Sequence, residues 1–233
     1  TFRNLAYLVG PILGGMIAIN GERWTIAAAG IILVVAYGLF TGMKVPESEV
    51  EEGVHGVRVG EELKHWWELS TKVWPVLVMS LMVGVVDAVF WTTGTVVNDS
   101  LAELHRYGGL FLSMYMLPSL FVGLLVARWG IYQGKKRWAA GLLLIGGIIL
   151  STIGWKSSVE WVLGVVLLAS IFVGLSWPLI DATYTDFTVR MGKGRKHMIG
   201  ISSSVLSLAY IIGPIMGGMM ADWVGEIESF AWL

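Results

Sequence analysis

The sequence predicts an all-α, polytopic membrane protein, a bundle of spanning helices joined by short polar connections. Three observations predict it. Hydrophobic residues make up 55% of the chain and charged residues 14%, with a mean hydropathy of +0.71, whereas soluble domains carry roughly 25% charge. Seven runs reach the length of about 20 mostly apolar residues that a spanning helix needs: about 4–20, 24–43, 73–98, 109–128, 138–155, 160–186 and 198–222. And one fourteen-residue phrase occurs twice, as LAYLVGPILGGMIA from Leu5 and as LAYIIGPIMGGMMA from Leu208, with ten positions identical. Such duplication in an apolar chain implies two parts built alike, the sequence mark of a secondary transporter.

Several function classes are excluded or disfavoured at once. The net charge of -1 suggests no nucleic-acid partner, and the absence of cysteine removes disulfides and thiolate metal sites. His55, His65, His105 and His197 fall in loops or helix ends at no metal-ligand spacing, so no metal and no cofactor is expected. No GxxxxGK[ST], HExxH or GxSxG occurs, which argues against an ATP-driven pump and against common hydrolase chemistry.

The first two runs, 4–20 and 24–43, precede a polar insert from Lys44 to Lys72. Its first part, VPESEVEEGVHG, reads as a flexible acidic loop. Its second part, EELKHWWEL, reads as a short amphipathic helix on the membrane surface, with Leu63, Trp66, Trp67 and Leu69 facing lipid. Five runs follow, and Phe230 to Leu233 reads as the start of an eighth. The expected domains are thus 1–43, 44–72 and 73–233, with the chain a fragment cut beside membrane helices at both ends.

Basic residues set the orientation. Arg3, the insert, Arg128 with Lys135, Lys136 and Arg137, and Arg190 with Lys193, Arg195 and Lys196 lie at alternate connections; the opposite connections hold only Arg23, Arg106 and Lys156. The richer side is expected in the cytoplasm. Asn98-Asp99-Ser100 matches a glycosylation sequon but abuts the membrane, so it is taken as chance.

Within each copy of the phrase, GPxxGG has a physical meaning. Proline removes a backbone donor and bends the helix. Gly10, Pro11, Gly14 and Gly15, and Gly213, Pro214, Gly217 and Gly218, combine that bend with a smooth face where another helix can pack closely. A rocking contact between bundles needs both features; ordinary tight packing needs only the second.

On these phrases the chain resembles the major facilitator superfamily, whose antiporter-associated signature runs Gly, eight residues, Gly, three residues, Gly-Pro, two residues, Gly-Gly. Gly200, Gly213, Pro214, Gly217 and Gly218 match it, with Ala209 in place of the second Gly; in the first copy Gly10, Pro11, Gly14 and Gly15 match, with Ala6 in that place. The connection GLLVARWGIYQGKKR is similar to the family's G-x-L-a-D-r-x-G-r-k loop through Gly123, Leu125, Arg128 and Gly130, with Lys135, Lys136 and Arg137 as its basic cluster and Ala127 in place of the Asp. The resemblance implies helices five to eleven of a twelve-helix bundle. It also implies a permease that moves a small solute by alternating access, with proton-coupled efflux, hence antiport, favoured over uptake. The implied partners are that solute, protons and the lipid bilayer; the implied location is the plasma or inner membrane, with the full-length protein a monomer.

Two groups of side chains are candidates for binding. Asp87 lies 14 residues into its run, about 20 Å from the basic end at about 1.5 Å per residue. A carboxylate at that depth costs roughly 2.5–3.5 kcal/mol on insertion scales unless it is paired, wetted or protonated. Trp91, Thr95 and Asn98 share its stripe at helical spacing, so the face offers acid, aromatic, hydroxyl and amide groups to a substrate or proton. The alternative is an Asp held by a neighbouring helix. In the 160–186 run, Trp177, Asp181, Tyr184 and Thr185 share a face just after Pro178; Asp181 lines the cavity or is satisfied at the interface. Tyr7 and Tyr210 stand at matching positions of the two copies.

A seven-helix photoreceptor is disfavoured, because the 198–222 run has no lysine for a Schiff base. A lipid-modifying membrane enzyme and a transporter-like sensor remain as alternatives to transport.

Overall fold

The structure is a computed structural model, and it describes residues 22–42, 59–131, 133–190 and 195–233. Two compact units divide between Glu62 and Leu63. In the first, α1 (Glu22–Gly42) is an apolar helix with almost every described side chain exposed. The first copy of the repeated phrase, with Tyr7, Gly10, Pro11, Gly14 and Gly15, lies outside the described residues.

The second unit is a helical bundle of α2 (Val59–Trp91, which enters it from Leu63), α3 (Thr93–Leu104), α4 (Phe111–Met116), α5 (Ser119–Trp129), α6 (Lys135–Leu150), α7 (Val159–Arg190) and α8 (Arg195–Val224). Short 3-10 turns at Gly108–Leu110, Ile153–Trp155 and Glu228–Trp232 complete it, and the described residues contain no strand. Among the described residues, five stretches are long and apolar enough to span a membrane: Trp66–Leu104, Gly108–Trp129, Lys135–Trp155, Val159–Arg190 and His197–Val224. They match the five expected runs from 73 onward.

Each break inside a span has a local cause. Between α2 and α3 the Thr92 hydroxyl donates to the Ala88 carbonyl at 2.8 Å, while the Thr95 hydroxyl donates to the Thr92 carbonyl at 2.6 Å. Each hydroxyl doubles the bond that its own backbone N–H makes to the same carbonyl, a local pattern that competes with the regular ladder and bends helices. Between α4 and α5, Pro118 has no N–H to give, and the Ser119 hydroxyl caps the Met116 carbonyl at 2.7 Å.

α7 lies against α4, α5, α6 and α8 and buries residues all along its length. A helix apolar on every side belongs in the centre. α6 fits closely on it because Gly146 meets Val173 and the Ala169 carbonyl. Two apolar cores result. One gathers Phe90, Leu101, Phe111, Tyr115, Ile153, Val166 and Phe230; the other gathers Val73, Val76, Val83, Leu179, Ile180, Tyr184 and Met198. Val86 packs against both.

One expectation changes. The segment with Trp66 and Trp67 is not a separate surface helix but the start of α2, continuous into the span. Trp67 is exposed, whereas Leu69 is buried and the Trp66 ring covers Gly200. The reason is register: Leu69, Val73, Val76, Ser80 and Val83 repeat at steps of four and three and form one buried stripe. The structure carries no placement for the Leu63 side chain. Phe230, where a further span was expected to start, sits fully buried in a 3-10 turn. Gly225, at φ +103, follows α8 and turns the chain, and Phe230 then packs tilted against the Phe90 ring and edge-on against Phe111.

Candidate functional site

Asp87 stands on α2 at the level of Val86, where the two apolar cores meet. Its carboxylate accepts two phenolic hydrogen bonds. The Tyr115 hydroxyl donates to one oxygen at 2.6 Å, and the Tyr210 hydroxyl donates to the other. Asp87, Tyr115 and Tyr210 come from α2, α4 and α8, so one carboxylate ties three helices together. Two charge-assisted hydrogen bonds are the compensation a carboxylate needs away from bulk water.

Each partner is held differently. Tyr115 is buried, its ring stacked on Phe90 at 3.9 Å between centroids and 6° between planes. Tyr210 is half-exposed on α8, one turn before Gly213 and Pro214. α8 reaches α2 through a seam of small residues. A Cβ on Gly84 would lie 2.7 Å from the Ala209 methyl, and one on Gly213 would lie 2.5 Å from the Ala88 methyl. One on Gly217 would lie 2.6 Å from the Thr93 hydroxyl. Such distances are below van der Waals contact, so side chains larger than hydrogen are excluded there. Gly218 points instead into open space, and Gly200 lies under Trp66. Pro214 is inside α8.

The rest of the expected stripe separates at the Thr92 bend. Trp91 stays half-buried, Thr95 is exposed and bonded to its own helix, and Asn98 accepts the Leu112 N–H at 3.5 Å, linking α3 to α4. On α7, Asp181 and Thr185 are exposed, with the Thr185 hydroxyl on the Asp181 carbonyl at 2.9 Å. Tyr184 turns the other way into the core, where its hydroxyl is buried near Ser80. Trp177 packs partly against the same core. Asp87 and Asp181 therefore sit in separate settings.

The basic connection between α5 and α6 is a compact turn. Gly130 closes α5 at φ 56 and Gly134 opens α6 at φ 70, left-handed conformations that side chains disfavour. Gly123 has open space around it, and Arg128 is exposed in the last turn of α5. Lys135 donates to Asp186 on α7 at 2.7 Å; Lys136 and Arg137 are exposed. Sequence reasoning left both Tyr115 and Asp186 outside the candidate site. Tyr115 had no signal: a tyrosine among Phe111, Leu112 and Met114 reads as core. Asp186 had a weak one, an acid opposite a basic loop.

This arrangement, an apolar helical bundle with a half-buried carboxylate between two phenols and beside a glycine seam, is that of a polytopic membrane protein with a polar centre. The chain belongs to the Major Facilitator Superfamily, whose family model matches residues 76–233. It is similar to the "Multi-drug resistance efflux pump PmrA homolog" of Lactococcus lactis, 28% identical over 131 residues, which cover 55% of this chain and 31% of that protein. It is also similar to "Multidrug resistance protein 1" of Bacillus subtilis, 27% identical over 141 residues, which cover 59% of this chain and 35% of that protein. The chain thus spans about a third of the length of the curated relatives it matches. No solved structure matches it. The family and the apolar spans make it an integral, multi-pass membrane protein of a transporter family.

Proposed function

We propose that the protein is a secondary active transporter that exports a small solute by alternating access in exchange for protons, with Asp87 as the group that binds the proton or a cationic solute. The observation that carries this reading is the carboxylate shared by Tyr115 and Tyr210 between three helices. A charged Asp87 accepts both hydroxyls and holds α8 to α2. A protonated Asp87 is a weaker acceptor and keeps one oxygen for its own hydrogen, so the hold on Tyr210 loosens. Tyr210 lies one turn before Pro214, which takes one hydrogen bond out of the helix ladder, so the same proton changes how firmly this weakened part of α8 is fastened. That links occupancy to helix motion, as alternating access requires. The multidrug-resistance names of the two relatives, one of them an efflux pump, support export of more than one compound.

Asp181, exposed on α7 beside Thr185, is a secondary candidate toward the basic end, while Trp177 and Tyr184 belong to the core behind it.

The test is transport by the full-length protein in sealed vesicles, with a fluorescent lipophilic cation as probe. Asp87→Asn is expected to abolish export driven by a pH gradient. An unchanged rate and an unchanged pH dependence in that variant would remove Asp87 from the mechanism.

A further inference from the structure

The outer face of α6 carries an apolar groove that the transport reading does not use. Arg137, Trp138, Gly141, Leu142 and Ile145 line it. Arg137, Gly141 and Ile145 follow one another at four-residue steps, so the groove runs along the helix from its first turn inward. A Cβ on Gly141 would meet nothing within 4 Å, so the missing side chain deepens the groove rather than admitting a helix. Trp138 and Ile145 stay exposed beside it.

Charge gathers only at one end. Of the three basic residues that open α6, Lys135 is neutralised by Asp186. Lys136 and Arg137 are exposed, and neither forms an ion pair among the described residues. The helix itself adds to them: Gly134 offers no side chain to cap the first amides, whose partial positive charge faces the same way. The groove therefore has two uncompensated cations at its mouth, an indole one residue further in, and only apolar lining beyond. In a spanning helix that order matches, from water inward, an anionic head group, the interfacial layer and the hydrocarbon.

We propose that this groove is a binding site for an anionic diacyl phospholipid. Arg137 and Lys136 hold the phosphate, Trp138 lies at the level of the glycerol backbone, and one acyl chain runs over Gly141 between Leu142 and Ile145. A zwitterionic lipid has the same chains but cancels the attraction with its own cation. A second protein would have to bring an acid to the membrane boundary. The lipid supplies charge and chains together. The inference rests on the membrane setting, not on the proposed transport.

The experiment is native mass spectrometry of the purified protein in detergent, titrated with phosphatidylglycerol and with phosphatidylcholine of identical chains. The wild type is expected to retain phosphatidylglycerol preferentially. In K136Q/R137Q that preference should fall by roughly thirtyfold, the attraction expected of two cations at an anionic surface. Gly141→Leu, which fills the groove and keeps both charges, should weaken retention of phosphatidylglycerol, while Lys156→Gln near the other end should change nothing. In a second measurement, phosphatidylglycerol with brominated chains should quench part of the fluorescence in the wild type, and that part should be missing in Trp138→Phe. Equal retention of the two lipids, or preference unaltered in K136Q/R137Q, overturns the proposal. So does displacement of the lipid by glycerol phosphate, which has the head-group charge without chains and would assign the cations to a free phosphate ligand.

Discussion

Gly213 on α8 and Ala88 on α2 stand so close that a methyl group on Gly213 would lie 2.5 Å from the Ala88 methyl carbon and 3.1 Å from the Val85 carbonyl oxygen. Neither neighbour is a flexible chain end, so an added group forces the helices apart rather than finding room. Gly213→Ala is expected to destabilise the bundle by about 1–3 kcal/mol, the usual cost of overpacking. Gly218→Ala, where nothing lies within 4 Å, is expected within about 0.5 kcal/mol of wild type. Thermal unfolding of the two variants in detergent checks the contrast; equal stability would mean that the seam yields.

The two phenols on Asp87 are predicted to be coupled to it energetically. Tyr210→Phe removes one donor from a carboxylate and should cost about 1.5–3 kcal/mol, the range for hydrogen bonds to charged groups. In an Asp87→Asn background the same change should cost less, because a neutral amide needs the donor less. A double-mutant cycle of unfolding free energies is expected to give a coupling on the order of 1 kcal/mol. Additive effects would show that the contact contributes no specific energy.

Phe230 is expected to be an anchor although it lies in a short turn near the end of the sequence. It is fully buried, 4.7 Å from the Phe90 ring and 5.5 Å from the Phe111 ring. Phe230→Ala should cost on the order of 3–5 kcal/mol. Trp232→Ala, two residues on and 69% exposed, should be nearly neutral. Proteolysis of the 225–233 segment in each variant provides a second readout, with cleavage expected to rise in Phe230→Ala alone.

The Lys135–Asp186 pair is predicted to contribute little to stability. Its side chains are 18% and 48% exposed, so water and salt screen the attraction. Lys135→Gln should lower stability by about 0.2–1 kcal/mol, less at high salt. A larger, salt-insensitive loss would mark the pair as a fixed support of the α5–α6 turn.

Much of the bundle is legible in the sequence because a bilayer imposes a simple demand. Every backbone group must be satisfied within the chain, so each long apolar run becomes a helix. The runs from 73 onward therefore appear where hydropathy puts them. Where polarity is mixed the pattern fails. Trp66 and Leu69 lie in a charged stretch and read as a lipid-facing surface, yet α2 carries its buried stripe back through them. Phe230 reads only as an apolar residue among apolar neighbours, and its burial against Phe90 and Phe111 after the turn at Gly225 is not visible in that pattern.

The candidate site divides in the same way. The sequence by itself determined the membrane class, the helices, the intramembrane acid at Asp87 and the glycine face of the GPxxGG helix, since each depends on residue type and local spacing. Only the tertiary structure decided which groups meet that acid, that Tyr115 and Tyr210 reach it while Thr95 and Asn98 turn elsewhere, and that Gly213 and Gly217, not Gly218, face α2. The physical reason is that a side chain's depth in the membrane follows from its place along one helix. Its partners depend on how several helices are rotated about their axes, and nothing local in the sequence sets that rotation.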